Sequence, residues 1–304
     1  MTKNLRLIFL TLLLSFLIIP LVACRGDRQQ EPSSSERTIP TGYRVKSNSK
    51  ASIDCSQANE GFMKIQWRAG GHKELRVIID YPDEISYTYP LKNDGTWEIF
   101  PFSSGDGKYT IQIFEQLVDT KYYLALGTET QIALDSEFAQ FIQPNKHVDF
   151  GNSTIAIETA TTLVEDTYTD LEKVEILYNF VINNFTYDYE LAETVQDGYL
   201  TNLDDFWEKK SGICLDYATL LTSMLRSQGI PAKLVIGDVR DRQQSLHAWT
   251  SVFIEESGRI KNGPHSTGNT WVLLDPTFVQ NADNIRKVLR FVRNEANYHA
   301  HYLY

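Results

Sequence analysis

The sequence is short of positive charge and of cysteine. Lys and Arg total 29 against 39 Asp and Glu, giving a formal net charge of −10 with histidine neutral, and no basic run follows residue 25. Phosphate backbones and anionic lipid surfaces are held by clustered Lys and Arg, so this balance argues against a general nucleic-acid or membrane-surface binder. There are three cysteines, at 24, 55 and 214, with no C-x-x-C or H-E-x-x-H spacing. The usual sequence grounds for a zinc site are therefore missing. What is present is ordinary for a chain that buries a core: 304 residues, 42% hydrophobic and 22% charged. That length favours two domains over one.

The first residues read as a processing segment. Lys3 and Arg6 give a positive start and Leu7 to Ala23 carry no charge, a stretch borderline for the roughly 20 apolar residues that span a bilayer. It ends in Leu21-Val22-Ala23-Cys24. Two aliphatics, a small residue and then cysteine resemble the lipobox of bacterial lipoproteins. The resemblance implies a signal peptide over residues 1–23 and lipidation of Cys24 as the mature N-terminus. An uncleaved transmembrane anchor is the alternative. Either way the chain is exported, facing the extracytoplasmic side of a bacterial cell membrane, and fold reasoning starts after residue 24. Outside the cytoplasm Cys55 and Cys214 are able to form a disulfide, though that bond would have to cross domains. Residues 24–50, rich in Ser, Pro, Gln and charge, read as a disordered tether with a root-mean-square reach on the order of 25–30 Å.

Residues 51–150 alternate with period two. Met63, Ile65 and Trp67 share a face, as do Leu75, Val77 and Ile79, then Ile85, Tyr87 and Tyr89, then Tyr109, Ile111 and Ile113. Turn residues separate the runs, which predicts an all-β sandwich of immunoglobulin-like type. Asp80, Asp83, Glu84, Asp94 and Asp106 lie in or near those turns. They are readable as calcium ligands or, more simply, as turn formers. No catalytic constellation is visible in this half.

From 151 to 304 the pattern becomes α+β. Two helices are expected before residue 186, the second capped by Asp170 with Leu171, Val174, Leu177, Tyr178 and Val181 on one stripe. Residues 186–208 read as a surface segment. Ser211 then caps a buried helix carrying Tyr217, Leu220, Leu221, Met224 and Leu225, stopped by Gly229 and Pro231. Three strands follow, around 232–239, 247–255 and 270–275.

Cys214 falls in the first turn of that helix. Free N–H groups and the positive end of the helix dipole stabilise a thiolate there, and the same N–H groups suit an oxyanion. Position alone leaves core filler, disulfide half and nucleophile all open. His247 opens a strand and reads either as a packed, hydrogen-bonded residue or as a base. Asp275, after a run of buried aliphatics and before Pro276, reads either as a turn former or as the carboxylate that orients a histidine. Together they give Cys-His-Asp in chain order, with antiparallel strands able to set the last two side by side.

Here the sequence resembles the transglutaminase-like superfamily, cysteine enzymes with a papain-like α+β core. The matching pieces are Gly212–Ala218 ("GICLDYA"), Gly229–Gly237 ("GIPAKLVIG"), His247–Phe253 ("HAWTSVF") and Asp275–Phe278 ("DPTF"), in the family's order over roughly residues 170–280. The resemblance implies Cys214 as nucleophile, His247 as base and then acid, and Asp275 as orienter. Tyr217 and Trp249 match the motifs without a firm role. No calcium site of the animal enzymes is recognisable, and no cofactor is implied. The expectation is a membrane-anchored extracytoplasmic thiol enzyme acting on amide bonds of a peptide or protein substrate, one associated with the cell wall among the options. Acyl transfer to an amine and hydrolysis both remain open. The alternative is a catalytically silent adhesion or scaffold module using the same fold.

Overall fold

The computed structural model describes residues 44–304 apart from 152–153, 168, 197, 241–245 and 283. The signal segment, the lipidation site at Cys24 and most of the tether lie outside the described residues. The described residues belong to one compact unit, Arg37–Tyr304.

Eight strands come first: β1 (Val45–Ser47), β2 (Ala51–Asp54), β3 (Phe62–Trp67), β4 (Leu75–Asp80), β5 (Ser86–Pro90), β6 (Trp97–Pro101), β7 (Gly107–Val118) and β8 (Lys121–Ile132). They make two four-stranded antiparallel sheets, β1-β2-β3-β6 and β5-β4-β7-β8. Side chains alternate across a strand, so Leu75, Val77 and Ile79 point inward while Arg76 is exposed. Ile53, Met63, Ile65 and Phe100 from one sheet share a core with Val77, Ile79, Tyr89 and Ile111 from the other. Each such buried side chain contributes roughly 1.5–3 kcal/mol of transfer free energy. The chain changes sheet between β3 and β4, between β5 and β6, and between β6 and β7, the connectivity of an immunoglobulin-like sandwich.

Details differ from the sequence reading. β1 lies inside the expected tether; its side chains are largely exposed and it joins β2 through backbone pairing, so no hydrophobic pattern marks it. Ile85 stands before β5 and is exposed, while Tyr87 and Tyr89 are buried. Asp94 accepts from the Thr96 N–H (2.9 Å), the local bond of a turn former, whereas Asp106 accepts from the distant Leu134 N–H (2.8 Å) and ties its turn to the end of β8.

The second part comprises α1 (Thr154–Val164), α2 (Asp170–Asn184), β9 (Thr186–Tyr187), α3 (Tyr189–Thr194), α4 (Leu203–Lys209), β10 (Ser211–Gly212), α5 (Cys214–Ser227), β11 (Ala232–Val239), β12 (His247–Ile254), β13 (Ser257–Arg259), β14 (His265–Thr267), β15 (Thr270–Leu274), α6 (Pro276–Gln280), α7 (Ile285–Val292) and β16 (Tyr298–Leu303). Four strands form the main antiparallel sheet, β15-β12-β11-β16. Helix α5 crosses one face, where the Thr250 hydroxyl donates to the Ala218 carbonyl (3.2 Å) and meets the Thr222 hydroxyl (3.1 Å). Trp249, one residue along, turns to the opposite face and packs with Val235, Val239, Leu273 and Val292.

Capping accounts for the departures here. Thr169 rather than Asp170 caps α2, its hydroxyl accepting from the Glu172 N–H at 3.2 Å. The expected surface segment 186–208 holds α3 and α4, with Leu203 and Phe206 buried. Asp188 caps the first through the Leu191 N–H (2.8 Å), and Asn202 the second through the Asp204 and Asp205 N–H groups (3.1 Å each). At six and seven residues, neither is long enough to show a helical period.

The two parts share an aromatic and polar seam. Phe138 and Phe141, after β8, pack on Phe253 and Trp271, and the Lys233 ammonium sits 3.7 Å from the Trp271 ring centre. Tyr304 stacks on His147 with centroids 3.8 Å apart, and the Leu303 N–H donates to the Tyr87 hydroxyl at 3.2 Å. Arg226 is buried and donates to the carbonyls of Ala232 (2.8 Å), Gln143 (2.7 Å) and Tyr304 (2.6 Å). Leaving water pulls this guanidinium down to about 9.

Candidate active site

Because β12 and β15 run antiparallel, the start of one lies beside the end of the other. His247 opens β12 and Asp275 follows β15. This pairing brings the two side chains together. What remains is how the start of α5 reaches them.

Ile213, rather than Ser211, precedes the first turn of α5; Ser211 and Gly212 pair instead with Thr186 and Tyr187 in the short parallel bridge of β10 with β9. An isoleucine side chain cannot accept a hydrogen bond, and the carboxylate three residues on compensates. Asp216 Oδ2 accepts from the Ile213 N–H at 2.8 Å, the returning half of a capping box. Its Oδ1 accepts from the hydroxyls of Tyr199 (2.9 Å) and Thr201 (2.8 Å). Burial pushes this carboxyl up, with the three donors opposing. A Cβ on Gly212 would come within 2.5 Å of Asp216 Oδ2 and 2.8 Å of the Phe206 ring. Glycine at 212 is thus what lets the buried carboxylate sit under the helix start.

The Asp216 and Tyr217 N–H groups return to the Ile213 carbonyl at 3.0 and 3.2 Å. The amides of Cys214 and Leu215 are then the ones facing out of the helix end, as the first N–H groups of any α-helix must. Cys214 is half-buried at that end. It and Cys55 are both free thiols, so no disulfide crosses between the sandwich and this part.

The His247 ring is 3% exposed and stacks on Phe278, with centroids 4.7 Å apart and planes 12° off parallel. Its Nε2 lies 2.8 Å from Asp275 Oδ2. With Nε2 committed, Nδ1 is the nitrogen left to interact with the Cys214 thiol. Burial alone would lower this imidazole, but the Asp275 carboxylate and the Cys214 contact outweigh it and hold it raised.

Asp275 is fully buried, and its carboxylate meets three side chains and one backbone N–H. Oδ1 accepts from the Thr277 hydroxyl (2.9 Å) and the Phe278 N–H (3.1 Å); Oδ2 accepts from His247 and from the Tyr298 hydroxyl (3.0 Å). Burial would raise the carboxyl, yet the His247 charge and the hydrogen bonds from His247, the Phe278 N–H and Thr277 keep it below the ordinary carboxylate range. The two sequence readings of Asp275 are thus compatible: one oxygen caps α6, the other holds the histidine.

Cys214, His247 and Asp275 therefore come together. Two further residues of the site escaped the sequence reading. Asp216 carried a local signal, a carboxylate at the third helical position, obscured by Ser211 as a rival cap. Tyr298 carried none, since it reaches Asp275 only through the pairing of β16 with β11. Tyr217 packs against Phe185 and Phe206, with its hydroxyl buried and unpartnered among the described residues. Trp249 lies edge-on to Tyr298 at 5.1 Å. Among the described residues no group of three or more His, Cys, Asp or Glu could hold a metal ion.

Residues 157–276 match the family model of the transglutaminase-like superfamily. The chain carries a transglutaminase-like domain. Cys214, His247 and Asp275 all fall within the matched span, and Tyr298 lies beyond it. Among solved structures, this chain is similar to a proposed cysteine protease from Cytophaga hutchinsonii, at 15% identity over 86% of this chain and 73% of that one, with a TM-score of 0.41. It is similar to a proposed protease from Parabacteroides distasonis at 16% identity over 66% and 42% of the two chains, TM-score 0.31. Red sea bream transglutaminase aligns at 13% identity over 74% and 49%, TM-score 0.32. No curated protein matches the sequence.

Proposed function

We propose that the protein is a membrane-anchored, extracytoplasmic thiol enzyme that acts on amide bonds of peptides or proteins. The observation that carries this reading is the contact chain from Cys214 at a helix N-terminus to the His247 ring, and from its Nε2 to Asp275 Oδ2 at 2.8 Å. His247 takes the thiol proton, and the sulfur attacks the substrate carbonyl carbon. The carbonyl π pair moves onto oxygen, where the Cys214 and Leu215 amides stabilise it. Collapse expels the amine, which receives the proton from His247, and leaves a thioester on Cys214. An incoming amine or water then gives its proton to His247 and attacks the thioester, and the thiol is restored as the new amide or the acid leaves. Asp275 keeps the ring oriented and offsets its charge while it is protonated.

Anchoring rests on the Leu21–Cys24 motif, and the sandwich is assigned as a spacer or as a platform for substrate or cell wall. The test is alkylation by iodoacetamide at neutral pH with peptide mapping, beside a defined peptide library assayed with and without a primary amine. Cys214 should be modified far faster in wild type than in His247→Ala, with buried Cys55 slow to react in both. Cleavage alone would indicate hydrolysis, and a mass increase would indicate transfer. A Cys214 whose reactivity ignores His247, with no peptide processed, would return the protein to a silent scaffold.

A further inference from the structure

Asp275 Oδ2 serves two donors from different parts of the chain. One is His247; the other is the hydroxyl of Tyr298, 3.0 Å away, at the start of the last strand. Tyr298 is held on several sides. Its backbone pairs with Val239 on β11, and its ring lies 5.1 Å from Trp249 and 6.2 Å from Phe291. The preceding Asn297 is anchored by its amide donating to the Phe291 carbonyl (2.8 Å) and by its own carbonyl accepting from the Arg240 N–H (2.8 Å). The hydroxyl is thus delivered to the carboxylate by a rigid frame.

We infer that Tyr298 is a positioning residue for the Cys214–His247–Asp275 set, acting through Asp275. This rests on the thiol chemistry proposed above. A hydroxyl donating to Oδ2 does two things that ring packing cannot. It fixes the carboxylate rotation from the side opposite Thr277 and Phe278, so the oxygen facing the imidazole cannot swing. It also draws negative charge from that oxygen, so Asp275 pulls less strongly on the imidazolium proton. The titratable groups around the pair are Cys214 from α5, Tyr178 from α2, whose hydroxyl donates to the Asp275 carbonyl at 3.2 Å, and Tyr298 itself.

The experiment is the rate of Cys214 alkylation by iodoacetamide from acid to alkaline pH, read by peptide mapping on the full chain, with thermal midpoints alongside. In Tyr298→Phe the ring packing stays and the hydroxyl goes. The alkaline limb, where the imidazolium loses its proton, should move up by about half a pH unit, the size expected of one hydrogen bond of ordinary strength. The neutral rate should fall by about 3–10-fold as the ring is held less well. Phe291→Leu, which loosens the same cluster without touching the hydroxyl, should lower the thermal midpoint and leave the limb in place. A limb that stays at its wild-type position in Tyr298→Phe, or that moves equally in Phe291→Leu, overturns the inference and leaves the thiol reading standing. A wild-type profile with no imidazole-linked limb overturns both.

Discussion

The two described thiols, one in each half of the fold, separate packing from chemistry. Cys55 follows β2 inside the sandwich core, 2% exposed, and burial followed by the neighbouring Asp54 pushes it up to about 12. Cys214 stands half-buried at a helix N-terminus with an imidazole against it. The surrounding polar groups differ in the same sense. In the sandwich the buried charges close on one another, as Lys146 does with Glu98, both side chains under a tenth exposed. In the second part the buried pair Asp275–His247 extends to a third group, the half-buried Cys214 thiol at the end of α5. The first pairing is closed, whereas the second leads on to a thiol, which is the arrangement the proposed thiol chemistry needs.

The sharpest way to break this contrast is to exchange the losses. Cys214→Ala should abolish peptide processing with little change in thermal midpoint, because the side chain is half-buried and is not in the core. Cys55→Ala should preserve processing and cost about 1–2 kcal/mol of stability through the small cavity it leaves. Asp275→Asn keeps an oxygen for capping α6 but presents the wrong partner to His247, and turnover should fall by about 10³–10⁴-fold. Steady-state kinetics on any peptide found by the library, with urea unfolding of each variant, checks all three. If Cys55→Ala abolished peptide processing and Cys214→Ala did not, the two environments would have been read the wrong way round.

A smaller effect separates the glycines. Gly212→Ala drives a methyl into Asp216 and Phe206, so it should cost about 1–3 kcal/mol and slow Cys214 alkylation, because the helix start must shift. Gly95 in the sandwich has a left-handed φ of +80° with open space around it, so Gly95→Ala should cost about 1–2 kcal/mol from backbone conformation alone and leave alkylation untouched. Equal alkylation rates in the two variants would detach the Gly212–Asp216 contact from the thiol.

The parts of the molecule legible in the sequence were those fixed locally. Strand alternation in β4 and β7, the stripe of α5 and the boundary positions of Cys214, His247 and Asp275 each depend on neighbours within a few residues. The caps were local too, but several polar residues competed for each, and Ser211 and Asp170 lost to Ile213 with Asp216 and to Thr169. Short helices such as α3 and α4 gave too few residues for a period to emerge. β1 and β16 were invisible because backbone pairing with a distant strand makes them, and their largely exposed side chains record no face. Tyr298 shares that fate: its partner lies 23 residues away, and only the fold brings them together.

The subtlest difference between the halves is in how each responds to alkali. Cys55 is held protonated up to about 12 against an ordinary value of 9.0. Above pH 9 the unfolded chain sheds a proton that the folded chain keeps, so stability falls as pH rises, by at most about 1.4 kcal/mol per pH unit from this group. His247, raised by its partners, contributes stability that is full below its unfolded value of 6.5 and is lost as pH climbs through its folded one. Asp275 is lowered, so its contribution is present above the ordinary carboxylate range and lost as pH falls through its folded value. The two alkaline losses add in wild type but come from different halves. Thermal midpoints at pH 8, 9 and 10 should show a shallower decline in Cys55→Ala than in wild type, with alkylation of Cys214 keeping its pH profile. A decline as steep as wild type would mean that water reaches Cys55 once it ionises, and that the sandwich core is less closed around its thiol than its burial indicates.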